Sequence, residues 1–414
     1  MSDAPRAAIV AVQLPDVDDR AFEASVAELH RLARTLGTAV VATVTQRRES
    51  LHAATVVGSG KLAELKALVG DPPLDALLVD HEITPSQARN LEKATGVEVL
   101  DRTAVILEIF RRHARSRAAK AQVEIVRLQY MVPRLRESGK GKDRQRGGIG
   151  GKGAGESALE LDRRKIRDRI AELTRELDAL AEEQRTQRAR RRDMSRVALV
   201  GYTNAGKSTL MRALTGSEVY VADQLFATLD TTVRPLHPPT HPRVLISDTV
   251  GFIDKLPHGL VASFKSTLDE ALEAGLLAQV IDASDDNFER QLQVTTEVLA
   301  DIGAGEVPRL LVFNKIDRVG DAEVTTRALL ARWPDALVIS ARQPADVARL
   351  HARLQAFFAR ELVEGEVRVP YDRQQLRGEI FADCEVLGER YEDDAVVFQV
   401  RARPEALARW RDAS

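Results

Sequence analysis

Eight consecutive residues, Gly201-Tyr202-Thr203-Asn204-Ala205-Gly206-Lys207-Ser208, follow directly on the apolar run RVALV and spell G-x-x-x-x-G-K-S. The glycines permit backbone conformations that other residues resist, so successive N–H groups can turn inward on a phosphate. The helix that follows adds its positive N-terminal end, and Thr209 is counted with the loop among the nucleotide-binding residues. Lys207 is then placed to reach the β- and γ-phosphate oxygens, and the Ser208 hydroxyl is a hard oxygen ligand for Mg²⁺. A second run, RVLIS, ends in Asp248-Thr249-Val250-Gly251. An Asp at the carboxyl end of a neighbouring strand is where a Mg²⁺ partner belongs, and Gly251 lets its own N–H approach a γ-phosphate. A third run, RLLVF, ends in Asn314-Lys315-Ile316-Asp317. The Asp317 carboxylate can accept two hydrogen bonds from guanine, a pair that adenine does not offer, and such a site discriminates by about 10⁴–10⁵. Asn314 is expected to contact the purine edge and brace the phosphate loop. A last run ends in Ser340-Ala341-Arg342, whose backbone would meet the guanine carbonyl oxygen. Four elements in this order, each at the end of a strand, imply a guanine-nucleotide site.

Two further features bear on catalysis. Between the phosphate loop and Asp248 lies Phe226-Ala227-Thr228-Leu229-Asp230-Thr231-Thr232. A switch loop needs a Thr whose hydroxyl binds Mg²⁺ and whose N–H meets the γ-phosphate; Thr228, Thr231 and Thr232 all qualify by spacing. In Ras-like enzymes the residue after D-x-x-G is a Gln that orients the attacking water, but here it is Phe252. Basal hydrolysis is therefore expected to be slow, with a partner or another group completing the site. Asn204, inside the phosphate loop, is open to two readings: it helps hold a monovalent cation, K⁺, beside the phosphates, or it makes a hydrogen bond within the loop.

These motifs need a sheet with helices to hold them. The chain has 414 residues, enough for two or three domains, and 44% apolar and 29% charged residues exclude wholesale disorder. Residues 196–362 alternate strand and helix, which predicts a doubly wound, mostly parallel sheet. Residues 1–102 repeat the alternation on a smaller scale, with strands at AAIVAVQLP, TAVVATVTQ and DALLVDH. Ala104 to Tyr130 contains no Gly or Pro and reads as one long helix. A second helix is expected from about Ser157 to Met194, with Leu159, Ile166, Ile170, Leu173, Leu177 and Leu180 forming a narrow coiled-coil-like stripe. Together they predict a helical hairpin over 103–195. Residues 363–414 read as a small α+β domain in which Cys384 serves packing.

The hairpin's tip is unlike its stalk. Eight of the 25 glycines fall between Gly139 and Gly155, where no helix is expected. From Arg111 to Lys152 there are 13 Lys/Arg and 3 Asp/Glu, a local charge of +10 in a chain whose net charge is −2. Positive charge concentrated on a Gly-rich loop suits phosphate backbones. A single cysteine forms no internal disulfide, and no Cys/His spacing resembles a zinc site. The start lacks signal-peptide character and no window is apolar enough to span a membrane, so a cytoplasmic protein is expected.

The long motifs LQYMVPRLR with RQRGGIGGKGAGESALELDRRKIRDRI, GYTNAGKSTL, LFATLDTTVR and DTVGFIDKLPHGLVASFKSTLDEA resemble the HflX family of GTPases over most of the chain. The resemblance implies an α/β subdomain, a helical hairpin, a G domain and a small C-terminal domain. It implies GTP hydrolysis to GDP and phosphate, and Mg²⁺ held by Ser208 and Thr228. It also implies a monomer that binds the large ribosomal subunit, with Arg144, Arg146, Gly147, Gly148 and Lys152 at the tip reaching ribosomal RNA. Family members are associated with splitting or rescuing stalled ribosomes under stress. Lys207, Thr228 and Gly251 are then the residues expected to serve catalysis. The tip carries Ala154 where the family pattern has proline, and RQPADV follows Ala341 in place of a glycine-containing loop. Gly58-Ser59-Gly60-Lys61 is too short for a phosphate loop and reads as a turn. Two alternatives fit the residues less well: a GTP-dependent switch with a protein partner, and a nucleic-acid-dependent NTPase that remodels RNA. If Asn204 helps hold a monovalent cation, GTP hydrolysis will be faster in potassium than in sodium buffer; equal rates would remove that role.

Overall fold

The computed structural model describes residues 4–70, 73–135, 158–189, 195–216, 225–226, 229, 231–240, 243–255, 270–373 and 375–412. The chain forms two compact units, Met1–Glu183 with Lys255–Phe264, and Gln184–Asp254 with Lys265–Ser414.

The first unit is built on a four-stranded parallel sheet. Its strands are β1 (Arg6–Gln13), β2 (Ala39–Arg47), β3 (Ala76–Val79) and β4 (Glu98–Asp101), in the order β2-β1-β3-β4. Ala7 to Val12 of β1 are all buried, as expected of a central parallel strand covered on both faces. Helices α1 (Asp19–Thr35), α2 (Ser59–Leu68) and α3 (Pro85–Thr95) connect the strands. Their starts are chemically marked. Asp18 caps α1 by accepting from the Ala21 N–H, and Thr84 with Gln87 forms a reciprocal capping box on α3. Gly58 stands at the N-cap of α2, so the Gly58–Lys61 segment opens a helix and is not an isolated turn.

The single helix expected over Ala104–Tyr130 is two helices, α4 (Arg102–His113) and α5 (Arg117–Met131). The chain turns extended at Ala114 (ψ 118°), and the Ser116 side chain accepts from the Ala119 N–H to start the next helix. A Ser cap thus interrupts a stretch that contains no Gly or Pro. The Asp101 carboxylate binds the two helices together. It accepts from the Ala104 N–H at 2.8 Å, from the Tyr130 hydroxyl at 2.8 Å and from Arg134 Nη2 at 2.9 Å. Burial and the neighbouring Asp101 charge push the Tyr130 phenol well above its usual range. Helix α6 (Ala158–Ala189) lies against α5: Ala121, Ile125 and Leu128 pack on Leu173, with Ile166, Ile170 and Leu177 alongside. The 139–155 tip lies outside the described residues.

The second unit holds two sheets. The larger comprises β5 (Ser195–Gly201), β6 (Thr232–Pro235), β7 (Val244–Asp248), β8 (Leu276–Asp282), β9 (Arg309–Asn314) and β10 (Leu337–Val338), in the order β10-β9-β8-β5-β7-β6. All pair in parallel except β6, which runs antiparallel to β7 at the edge. Helices α7 (Lys207–Thr215), α8 (Phe288–Asp301), α9 (Ala322–Arg332) and α10 (Pro344–Ala359) accompany it. Leu210, Met211 and Leu214 of α7 and Leu350, Leu354 and Phe358 of α10 share one core with Val197, Leu199 and Ile246. The smaller sheet, β11 (Val363–Pro370), β12 (Glu385–Tyr391) and β13 (Ala395–Ala402), is antiparallel in the order β11-β13-β12. Helices α11 (Leu376–Asp383) and α12 (Pro404–Asp412) accompany it, and Cys384 is buried in its core. Among the described residues no helix is long and apolar enough to cross a membrane.

In the first unit a charged group is fully enclosed. Arg102, 2% exposed, pairs with Glu28 and, at 2.7 Å, with Asp80, which is 1% exposed. Burial pushes the Asp80 carboxyl up, but the charges of Arg102 and Lys255 and hydrogen bonds from Ser25 and Arg102 outweigh it, holding it below the usual carboxylate range. Its contribution to stability is therefore present above the unfolded-state value and is lost as pH falls through the lower folded one. Arg102→Met should leave two buried carboxylates short of their main partner and cost about 3–5 kcal/mol. Urea unfolding at neutral pH measures this, and an unchanged midpoint would show that the pair carries no stability.

Candidate nucleotide site

Strand β5 ends at Gly201, and α7 begins at Lys207, so the loop between them lies at the carboxyl edge of the larger sheet. Two glycines are required by space. Gly206 has φ +100°, and a Cβ there would come within 2.2 Å of Asn314 Nδ2. A Cβ on Gly251 would lie 2.9 Å from Thr203 Cα and 3.0 Å from Lys207 Nζ. Asn204 holds a left-handed backbone (φ 61°), a strained conformation of the kind found at ligand-gripping loops.

The loop is bonded to the segment that follows β7. Thr203 N–H donates to the Phe252 carbonyl at 2.7 Å, and Phe252 N–H donates to the Gly201 carbonyl at 3.1 Å. Asp254 N–H donates to the Tyr202 hydroxyl at 2.6 Å. Phe252 is 2% exposed. Its side chain is packed away, so it neither orients water nor competes for the cleft.

Three charged or polar groups converge beneath this loop. Lys207 Nζ donates to the carbonyls of Gly201 at 3.0 Å and Tyr202 at 2.8 Å. Burial pushes this amine down to about 8, with Asp248 opposing the shift and Lys315 adding to it. Ser208 Oγ donates to Asp248 Oδ2 at 2.7 Å. Asp248 itself is fully buried, and the neighbouring Thr249 hydroxyl donates to the Leu199 carbonyl at 2.7 Å. A hydroxyl and a carboxylate in contact at the foot of a phosphate-type loop are a donor set that fits a hard divalent cation.

The Asn314 side chain spans the far side of the site. Its Nδ2 donates to the Ala205 carbonyl at 2.9 Å, and its Oδ1 accepts from the Ala341 N–H at 2.9 Å. Ser340 N–H is in turn held by Asp346 Oδ2 at 2.7 Å. Asn204, Gly206, Thr209, Asn314, Lys315 and Asp317 line one part of a cavity of about 150 Å³, and Arg318 with Ser340–Arg342 lines the rest. Asp317 is exposed at its rim. The structure therefore gathers the 201–209, 248–251, 314–317 and 340–342 residues named from sequence at one edge of one sheet. Thr228, with Ala227 and Asp230, lies outside the described residues, whereas Phe226 and Leu229 are buried. Arg144, Arg146, Gly147, Gly148 and Lys152 also lie outside them. Sequence reasoning missed Asp346 and Asp282, the latter bonded to Lys315 at 2.7 Å. Asp282 had a signal: it ends a strand, as Asp248 and Asn314 do.

Comparisons with known proteins agree with this geometry. Residues 23–111 match a family model described as GTP-binding GTPase N-terminal, residues 113–191 its GTP-binding GTPase Middle Region, and residues 196–315 a 50S ribosome-binding GTPase. Among curated proteins, GTPase HflX of Gluconacetobacter diazotrophicus is 54% identical, covering 98% of this chain and 97% of its own. GTPase HflX of Escherichia coli is 39% identical, over 90% of this chain and 88% of its own. Among solved structures, one titled as the complex of SsGBP and GDP has TM-score 0.51 and 24% identity, over 85% of this chain and 99% of that one, a likeness of fold.

A phosphate brought to Lys207 stabilises the ammonium form and raises its pKa. Just above pH 8, GDP binding should thus take up a proton, and affinity should fall as pH rises through about 8. Calorimetry in buffers of different ionisation heat measures the uptake, which Lys207→Met should abolish. Zero uptake by the unaltered protein would contradict the burial argument.

Proposed function

This chain belongs to the HflX family of GTPases, and from that premise we propose that it is a cytoplasmic GTPase whose nucleotide state governs docking on the large ribosomal subunit, where it splits or rescues stalled ribosomes. The observation that carries the ribosomal part is the match of residues 196–315 to a family described as a 50S ribosome-binding GTPase. The +10 charge between Arg111 and Lys152 supports it, because ribosomal RNA offers the complementary phosphates.

At the site, the N–H groups of the 201–209 loop and the Lys207 ammonium hold the phosphates. Lys207 would release its two carbonyl partners as it does so. Ser208 and Thr228 would hold Mg²⁺, with Asp248 orienting Ser208. Once bound, the ion neutralises charge that builds up between the phosphates. Asp317 accepts from the guanine ring N–H and amine, and the N–H groups of the 340–342 loop face its carbonyl oxygen. Asn314 keeps these two halves in register, and Asn204 is the residue placed to help hold K⁺. Thr228 and Gly251 sense the γ-phosphate through their backbone N–H groups. With Phe252 buried, no side chain at that position orients the attacking water, so the ribosome completes the site and hydrolysis then weakens docking. Tip residues Arg144, Arg146 and Lys152 would contact RNA phosphates, with Gly147 and Gly148 allowing close approach.

Sedimentation with purified large ribosomal subunits tests this reading. The full chain should travel with the subunits in a non-hydrolysable GTP analogue and stay behind in GDP. A chain lacking 139–155 should bind GDP normally yet lose subunit-stimulated hydrolysis. Nucleotide-independent sedimentation, or stimulation that survives the deletion, would overturn it.

A further inference from the structure

One ion pair at the base side of the cavity is not explained by the nucleotide motifs. Strand β8 ends at Asp282, in register with Asn314 at the end of β9. Asp282 Oδ2 accepts from Lys315 Nζ at 2.7 Å, and both side chains are largely buried, at 15% and 12% exposure. The other oxygen is also engaged. Asp282 Oδ1 accepts from the Ser284 N–H at 3.0 Å and from the Ser284 hydroxyl at 2.6 Å. A carboxylate held at both oxygens has no freedom to swing, so it fixes the lysine tip in space.

The lysine it holds is itself constrained. Lys315 has φ 64°, a left-handed backbone that a long side chain keeps only where its surroundings impose it. Its stem passes the phosphate loop, since a Cβ added to Gly206 would lie 4.0 Å from Lys315 Cε. Lys315 lines the same cavity as Asn314, Asp317 and Ala341. Untethered, the four-carbon stem would sample many rotamers, and a ligand packing on it would have to freeze them.

We propose that Asp282 is a positioning residue for guanine-nucleotide binding: by anchoring the Lys315 ammonium it stretches the lysine methylenes into a preformed apolar wall beside Gly206, on which the planar base rests. This rests on the reading that the 314–317 cavity takes guanine. The wall touches the base and not the phosphates, so GDP and GTP should depend on it equally.

A double-mutant cycle on the full chain decides it, with dissociation constants for GDP and GTP as readout. Asp282→Asn retains an acceptor for Ser284 but removes the charge, and should weaken GDP and GTP by the same factor, about five- to twentyfold. Lys315→Met should weaken both as well. In the Lys315→Met background, Asp282→Asn should add nothing, because the group it positions is gone. If Asp282→Asn lowers the melting temperature, Asp282→Glu, which keeps the charge but displaces it, completes the cycle with the same expectation. Equal losses in both backgrounds would mean that Asp282 merely supports the fold, and unaltered affinity would mean that it does nothing; either overturns the proposal. Absence of GDP binding by the unaltered protein, or no effect of Lys315→Met, would instead overturn the assignment of the cavity, and the proposal with it.

Discussion

The side-chain amide of Asn314 is the joint on which the nucleotide site depends. One buried group donates to the Ala205 carbonyl and accepts from the Ala341 N–H. It therefore fixes the distance between the 201–206 loop and the 340–342 loop, the two proposed to hold the phosphates and the base. The near-isosteric side chains cannot replace it, since an ionised Asp has no donor and Leu has neither donor nor acceptor. The parallel sheet makes the joint possible: β5, β8 and β9 are neighbours, so their carboxyl ends, Gly201, Asp282 and Asn314, stand side by side. Asp282 and Asn314 are adjacent in register, and each holds a different group at this edge, the Lys315 ammonium and the Ala341 N–H.

Much of this was legible in the sequence because backbone-directed chemistry leaves strict residue types. Gly206 and Gly251 admit no Cβ, the Lys207 amine folds back on the Gly201 and Tyr202 carbonyls, and Asn314 and Asp317, three residues apart, line one cavity. The apolar runs before each motif identified β5, β7 and β9 because both faces of these strands are covered. The stripe Ile166, Ile170, Leu173, Leu177 was legible for a similar reason, since one face of a long helix had to be buried.

What escaped the sequence was contact-dependent. The break between α4 and α5 rests on one serine hydroxyl, and Ser in a helical window is common enough to pass unnoticed. Strand β6 is only four residues long and polar enough to read as loop, and it exists because β7 presents an open edge. The buried Glu28–Arg102–Asp80 group joins residues far apart in the chain, and no local pattern announces that Arg102 is inside. Asp282 ends an apolar run as the motif residues do, yet its meaning appears only when Lys315 is seen bonded to it.

The segment after Asp248 does not hang free of the phosphate loop. Phe252 is stitched to Gly201 and Thr203 by two main-chain bonds, and the Tyr202 hydroxyl fastens the Asp254 N–H. A group that displaced Gly251 would therefore strain all three fastenings at once. Fastenings that share one load hold or give way together. A molecule wired this way would answer the last phosphate of its nucleotide as a toggle and not as a dimmer.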